Sequence, residues 1–172
     1  YNVILKRGDA TAETSVTVRP DPRITWQDFA AMEKNIAEAE AFGERVNALN
    51  AKLKDLKEIK ESFAKGDEMI QNSPAFAEVA SVTYNTVKEE FTKLEEALDR
   101  RPDGLILKVN GYRVLMMAGG QLSQSEQKTM AEAEAALIEA NSRIDDFLSG
   151  PWAAYIEVIK KVNFTGDQVI IR

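Results

Sequence analysis

Larger apolar residues recur three or four positions apart between Thr25 and Lys65, which is the spacing of one face of an α-helix. The stripe consists of Phe29, Met32, Ile36, Ala39, Phe42, Val46, Leu49, Leu53, Leu56, Ile59 and Phe63. At 1.5 Å rise per residue this helix would be about 60 Å long, longer than a domain of this size is wide. The pattern therefore predicts one very long amphipathic helix whose stripe other helices must cover.

Local signals predict where this helix begins and ends. Thr25 is a candidate N-cap, and Asp28 stands three residues later, as in a capping box. Lys65 and Gly66 are typical of a helix end, which makes the stretch 67–72 a short connection. The stripe also slips once, at Ile36-Ala39-Phe42, where a 3,3 step predicts a local rotation of the apolar face.

Two further segments carry helical stripes, and a short final helix follows them. Ser73-Pro74 begins the second helix, because proline loses no hydrogen bond at the first helical position. Ser123 and Glu126 form a capping box that begins another. Its apolar residues step 3,4,3,4,3 and are Met130, Ala133, Leu137, Ala140, Ile144 and Phe147. Alanine at these positions predicts close approach to a neighbouring helix, and Gly150-Pro151 predicts the helix end.

The segment 105–117 fits two structures. Asn110-Gly111 between apolar runs is a strong signal for a two-residue β-hairpin turn. Leu105, Val109, Tyr112 and Met116 also lie on one helical face. The residues alone leave both open.

Both ends of the chain read as β-structure. Tyr1, Val3 and Leu5 alternate with polar residues, and a turn near Gly8-Asp9 precedes a second alternating run, which predicts a hairpin over 1–23. The tail 167–172 reads as a strand that would pair with this hairpin. We therefore divide the chain into a β-hairpin, 1–23, which we interpret as the end of an upstream β element, and a bundle, 24–172. The predicted fold is mainly α, an antiparallel helical bundle of four main helices.

Composition removes several classes of function. The 172 residues include no histidine and no cysteine, which excludes serine–histidine and cysteine–histidine nucleophile systems and thiolate zinc sites. The net charge of −6 has the wrong sign for a surface that neutralises phosphates, so we expect no nucleic-acid partner. No apolar run reaches the roughly 20 residues of a membrane span, so none is predicted.

Several residues are of types that catalysis or sugar binding uses, but their positions also fit a purely structural role. Surface acids on polar helix faces are interpreted as solvated rather than as a glycosidase pair; they are Glu89, Glu90, Glu95, Glu96, Asp145 and Asp146. Trp26 and Trp152 are more often core residues than sugar-stacking platforms, and Asn163-Phe164-Thr165 fits a glycosylation acceptor by chance. We predict no catalytic, cofactor-binding or metal-binding residue.

The layout Tyr-x-Val-x-Leu at 1–5, then Val-x-Val-Arg-Pro-Asp-Pro-Arg at 16–23, then a long helix, resembles the C-terminal region of large secreted bacterial proteins. In that family a β-propeller of BNR or sortilin-like repeats, often described as glycosyl hydrolase, comes first. A small β element ending in a motif like Asp21-Pro22-Arg23 then leads into a helical bundle. The resemblance implies a helix over 105–117, although Asn110-Gly111 departs from what such a helix prefers. Nothing catalytic carries over to this chain.

The resemblance implies a function by position. We expect a non-catalytic accessory or interaction domain of an extracytoplasmic protein, whose partner is the upstream β-propeller of the same polypeptide. Two alternatives remain, a carbohydrate-binding or glycoside hydrolase-associated module and a coiled-coil oligomerisation domain. We also expect weak self-association through the hairpin, because two strands rarely stand alone in water.

Overall fold

The fold is that of a computed structural model, which describes residues 1–17, 19, 28–99, 101–165 and 168–171. The chain is mainly helical, with four main helices and an N-terminal hairpin, which confirms the predicted fold class. The strands are β1 (Asn2–Arg7), β2 (Ala10–Ser15), β3 (Val162–Thr165) and β4 (Gln168–Ile171). The helices are α1 (Phe29–Asn72), α2 (Pro74–Leu98), α3 (Leu105–Val109), α4 (Val114–Met117), α5 (Gln124–Phe147) and α6 (Ala153–Lys161).

Two helical segments in succession cover one side of α1. Helix α2 runs antiparallel to the C-terminal half of α1, where Phe63 packs edge-on against Tyr84 with ring centroids 6.0 Å apart. The segment 105–117 then continues in the same direction along the N-terminal half, where Phe42 stacks on Tyr112 at 4.9 Å. The break between the two segments lies at 99–104. The first two of three helical columns are therefore α1 by itself and α2 followed by the segment 105–117.

Helices α5 and α6 form the third column and run parallel to α1. Arg45 binds Glu134 through two hydrogen bonds of 2.6 and 2.7 Å. Farther along both helices, Lys52 binds Asp145 at 2.7 Å. One core cluster extends through all three columns, and its largest fully buried side chains belong to Phe42, Leu49, Ile144, Val87 and Val109. Phe76 and Ala80 form a second, smaller cluster.

Small residues bring 105–117 close to α5, as the alanines predicted. Ala133 and Ala140 are fully buried. A Cβ atom added at Gly111 would lie 2.9 Å from Thr129 Cγ2 and 3.7 Å from Ala133 Cβ. The glycine thus serves this contact and not a β-turn. The helical interpretation of 105–117 is confirmed, with a 3₁₀ turn at Asn110–Arg113 between α3 and α4.

The predicted end of α1 was wrong. The helix continues past Gly66 to Asn72, so the stretch 67–72 is helical and not a connection. Gly66 is buried because the ring of Tyr84 lies directly over its Cα, which leaves no room for a side chain. The helix ends where Ser73 adopts an extended backbone and caps α2, as predicted for Ser73-Pro74.

The start of α1 also differs from the prediction. Asp28 is the N-cap, and its Oδ1 accepts a hydrogen bond from the Ala31 N–H at 3.0 Å. The predicted cap, Thr25, lies outside the described residues, as do Pro20, Pro22, Trp26 and the motif 21–23.

The predicted slip in the stripe was wrong because Asn35, not Ile36, faces the core. Asn35 is 5% exposed, whereas Ile36 is 48% exposed. Asn35 followed by Ala39 and Phe42 keeps the 4,3 spacing intact. Burial of the amide is compensated by a hydrogen bond of 2.8 Å from Nδ2 to the Gly120 carbonyl oxygen, which ties the loop after α4 to α1.

In the C-terminal part, α5 ends at Phe147 and the predicted short final helix follows as α6. The two helices are joined without a break, which was not predicted, because a π-helical turn at Leu148–Trp152 carries the column past Gly150-Pro151. A π-helical turn accommodates proline, which cannot donate to the regular ladder. The tail strand β4 pairs with β3 and not with the N-terminal hairpin, so the described strands form two separate two-stranded sheets. The Ser123–Glu126 capping box is confirmed.

Candidate functional site

The N-terminal hairpin has one apolar face and one polar face. The register places Val3 opposite Thr14 and Leu5 opposite Ala12, and Tyr1 pairs with Val16 through backbone hydrogen bonds. Residues on alternate positions of both strands therefore share a face. The other face is more polar, with Asn2 opposite Ser15, Ile4 opposite Glu13 and Lys6 opposite Thr11. Gly8 turns the chain with a φ of +60°, a conformation that favours glycine.

The apolar face of the hairpin is uncovered. Tyr1 is 86% exposed and Leu5 70% exposed, and every described residue from 1 to 17 is classed as exposed. A two-stranded sheet is marginally stable in water unless its apolar face packs on something. We call this surface, formed by Tyr1, Val3, Leu5 and Val16, the hairpin face.

A second apolar surface is the groove between α1 and α6, which encloses about 690 Å³. We call it the α1–α6 groove. It is lined by Asp55, Glu58, Ile59, Ser62, Lys65, Gly66, Met69, Leu148, Trp152, Tyr155, Ile156 and Ile159. Ile59 and Tyr155 are buried at its floor, at 8% exposed each, while Ile156 and Met69 remain half-buried. Five of the seven lining positions on α1, from Asp55 to Met69, step 4,3,4,3, the spacing of a coiled-coil seam, and Glu58 and Lys65 lie along its edge.

Sequence reasoning missed this groove, although its signal was present. Residues 55, 59, 62, 66 and 69 form a second seam on α1, beside the stripe that the large apolar residues mark. The seam was inconspicuous because Ser62 and Gly66 are small and Asp55 is charged.

A polar network joins α1 to α2 near one wall of the groove. The Tyr84 hydroxyl lies 2.6 Å from the Phe63 carbonyl oxygen and 2.8 Å from Asp67 Oδ1. Lys88 Nζ donates to both Asp67 carboxylate oxygens, at 2.8 and 3.0 Å. The Lys88 hydrogen bonds, together with that of Tyr84, lower the pKa of Asp67. Burial is the main cause that raises the pKa of Tyr84, so its hydroxyl stays protonated as a donor.

This network predicts an acid-dependent contribution to stability. The pKa of Asp67 is lower in the folded chain than its ordinary value of 3.8, so its contribution is present above that value and is lost as the pH falls through the folded pKa. We therefore expect Asp67→Asn to unfold with a shallower loss of stability below about pH 4 than the native chain. Urea unfolding at pH 7 and at several acid pH values measures this. Equal slopes for the native chain and Asp67→Asn would contradict the role of the network.

Two of the acids singled out in the sequence, Glu90 and Asp146, line one cleft of about 220 Å³ together with Lys93 and Arg143, and the other four are exposed. Glu95 binds Lys60 at 2.8 Å, Asp145 binds Lys52 at 2.7 Å, and Glu90 binds Lys93 at 2.7 Å. Asp146 lies beside Ser142, and Glu89 and Glu96 are exposed. The three ion pairs of Glu90, Glu95 and Asp145 lie at the surface, where a single pair contributes little to stability.

Trp152 is half-buried: its ring centroid lies 6.5 Å from that of Phe63 and 5.8 Å from that of Tyr155, and the side chain also lines the α1–α6 groove. Trp26 and the side chains of Asn163-Phe164-Thr165 lie outside the described part of the chain. Among the described residues, no three acids, cysteines or histidines cluster as they would around a metal ion. No described helix combines the length and apolarity that crossing a bilayer needs.

No family model, curated protein or solved structure matches this chain. In the described part of the chain, the two apolar surfaces considered as candidate sites are the hairpin face and the α1–α6 groove.

Proposed function

We propose that this chain is a non-catalytic accessory domain of a larger extracytoplasmic protein, which packs through the hairpin face on an upstream β-propeller of the same polypeptide. The observation that carries the proposal is the exposure of the hairpin face, with Tyr1 and Leu5 mostly in solvent. The bundle has its own core and needs no partner to bury it. The hairpin has no core of its own, and the face of another β-sheet can pack on its exposed apolar side chains.

Two further observations support an accessory role. Three of the acids that the sequence singled out pair with lysines. Glu90 and Asp146 share a cleft, but Lys93 and Arg143 line it too and Lys93 binds Glu90 at 2.7 Å, so Glu90 is held in an ion pair. The resemblance of the opening motif to proteins with an N-terminal propeller supplies the kind of partner and the extracytoplasmic location. A helical column of about 65 Å would then hold the far end of the bundle well away from the propeller.

Substitutions on the two faces of the hairpin test the proposal. We expect Leu5→Lys to weaken binding of the separately produced upstream polypeptide at least tenfold, because burying one leucine contributes about 1.5 to 3 kcal/mol. Ile4→Lys, on the opposite face and beside Glu13, is the matched control and should bind as the native chain does. Isothermal titration calorimetry measures both, and circular dichroism checks that both variants fold.

Two results would contradict the proposal. The first is a reading frame upstream of Tyr1 that encodes no propeller repeats. The second is binding that Ile4→Lys weakens and Leu5→Lys does not. Specific binding in a glycan panel, or hydrolysis of aryl-glycosides abolished by one Glu or Asp substitution, would favour the carbohydrate-active alternative instead.

A further inference from the structure

We propose that the α1–α6 groove is the contact surface of a weak, antiparallel dimer, in which a second copy of this chain packs the same groove against it around a twofold axis near Ser62. This surface is independent of the hairpin face. The proposal rests on the shape of the groove, on its unpaired charges and on the position of those charges relative to Ser62.

The groove has the construction of a helix-packing seam. Its α1 side steps 4,3,4,3, and its α6 side, Leu148, Trp152, Tyr155 and Ile159, steps 4,3,4. Two parallel helices with such spacing present an apolar floor between two polar edges. On α1 the middle of the seam carries Ser62, which is small and exposed and lets a second helix approach closely. The space at Gly66 is filled from within the chain by the Tyr84 ring. The surface therefore suits another helix pair better than a compact ligand.

Charge identifies the second helix pair. Glu58 and Lys65 line the groove, and neither forms an ion pair within the described part of the chain. Several charged side chains beside the groove are paired, as in Lys57 with Glu61, Lys60 with Glu95 and Lys88 with Asp67. Glu58 and Lys65 are opposite in sign and lie four residues before and three residues after Ser62. Asp55, which has no ion pair among the described residues either, lies seven residues before Ser62.

A twofold axis near Ser62 pairs these charges between copies. In an antiparallel arrangement, Glu58 of each copy lies opposite Lys65 of the other, so one axis generates two ion pairs. A parallel arrangement would place Glu58 against Glu58 and Lys65 against Lys65. Asp55 lies at the outer end of the contact, where solvent screens it. The groove thus complements a second copy of itself in one orientation only.

The size of the groove predicts a weak dimer. From Asp55 to Met69 the seam is about 21 Å long, and two adjacent helices are about 20 Å wide. Each copy would bury about 400 Å², or about 800 Å² in total, which is below the roughly 1,000 Å² of a stable specific interface and fits only a weak, transient one. We expect association in the range of tens to hundreds of micromolar, weakening as salt rises.

Charge reversal tests the pairing. We expect Glu58→Lys alone and Lys65→Glu alone each to weaken self-association about tenfold, because each replaces two attractive pairs by two repulsive ones. Mixing the two variants should restore association as a heterodimer, since every facing pair is again opposite in sign. The double variant Glu58→Lys/Lys65→Glu should dimerise as the native chain does. Sedimentation equilibrium at rising concentration measures all four samples.

Controls separate this contact from general charge effects and from the hairpin. Glu44→Lys and Lys54→Glu make the same charge changes at exposed positions outside the groove and should leave association unchanged. Leu5→Lys tests the rival contact, which is the self-association through the hairpin expected from the sequence, and should leave association unchanged if the groove is the contact. Because the chain has no cysteine, Ser62→Cys offers a geometric readout: it should form a disulfide-linked dimer under mild oxidation, whereas Glu44→Cys should not.

Three outcomes would overturn the proposal. They are a native chain that stays monomeric to millimolar concentration, a mixture of the two single variants that associates no better than either alone, and association that Leu5→Lys abolishes.

Discussion

Leu137→Ala is expected to lower the free energy of unfolding by about 2 to 5 kcal/mol, because it opens a cavity in the packed core. Leu137 is 3% exposed in the middle of α5, and its neighbours Ala133, Ala136 and Ala140 are too small to fill the space. Urea unfolding at neutral pH measures the change.

Leu53→Ala is the matched control on α1. The stripe alone predicts an equal loss for both leucines, but Leu53 is only partly buried and lines a cavity of about 470 Å³ between α1 and α2. Truncation there removes less buried surface, so we expect a loss below about 2 kcal/mol. A loss as large as that of Leu137→Ala would show that Leu53 is packed more tightly than the fold indicates.

Gly66→Ala and Gly43→Ala are expected to change stability in opposite directions, although both glycines lie inside α1. Replacing glycine by alanine in a helix interior normally stabilises by about 1 kcal/mol. A Cβ at Gly43 meets nothing within 4 Å, so we expect that gain there. A Cβ at Gly66 meets the Tyr84 ring, with Cζ at 2.9 Å, and we expect a loss of about 1 to 3 kcal/mol from overpacking.

The cause of the Gly66 effect is testable in a double-mutant cycle. The Tyr84 ring cannot move aside freely, because its hydroxyl is held 2.6 Å from the Phe63 carbonyl oxygen. In a Tyr84→Leu background the clash is relieved, so Gly66→Ala should there be neutral or stabilising. A loss of stability in the Gly66→Ala/Tyr84→Leu double variant equal to the sum of the losses in the two single variants would contradict the contact. Thermal unfolding monitored by circular dichroism is sufficient to distinguish these results.

Periodicity predicted the helices well because most of their stability comes from burying one face. The stripes of α1 and α5 and the starts at Ser73-Pro74 and Ser123 followed from residues close in sequence. The 105–117 segment was not decided locally, because Asn110-Gly111 suits a turn and the apolar spacing suits a helix. Contact with α5, where Gly111 lies against Thr129, favours the helix.

The wrong predictions share a cause. Each relied on the local conformational or burial preference of a residue, and tertiary contacts override that preference in the fold. Gly66 is a helix terminator by preference, yet here it makes room for Tyr84, which lies 18 residues later. Asn35 is polar, yet it is buried, because its amide donates a hydrogen bond to the Gly120 carbonyl oxygen that compensates the loss of water. The tail strand, β4, paired with the strand next to it rather than with the distant hairpin, because a local hairpin closes a shorter loop.

The hairpin face was predictable from alternation, and the α1–α6 groove was not. Alternation identifies an apolar face whether or not anything covers it. A groove, in contrast, depends on which helices become neighbours, and α6 reaches α1 only because the π-helical turn at Leu148–Trp152 carries the third column past Pro151.

Both columns beside α1 are interrupted along its length. The break after Asp99 lies beside Leu53 and Leu56, because Asp99 and Ile106 share a cavity with these leucines. The π-helical turn lies beside Phe63, about 10 to 15 Å farther along α1, because Trp152 packs against that ring. Of the three columns that the structure describes, α1 alone passes both interruptions as regular helix. We therefore expect the resistance of the bundle to bending to depend on the stretch of α1 from Leu53 to Phe63.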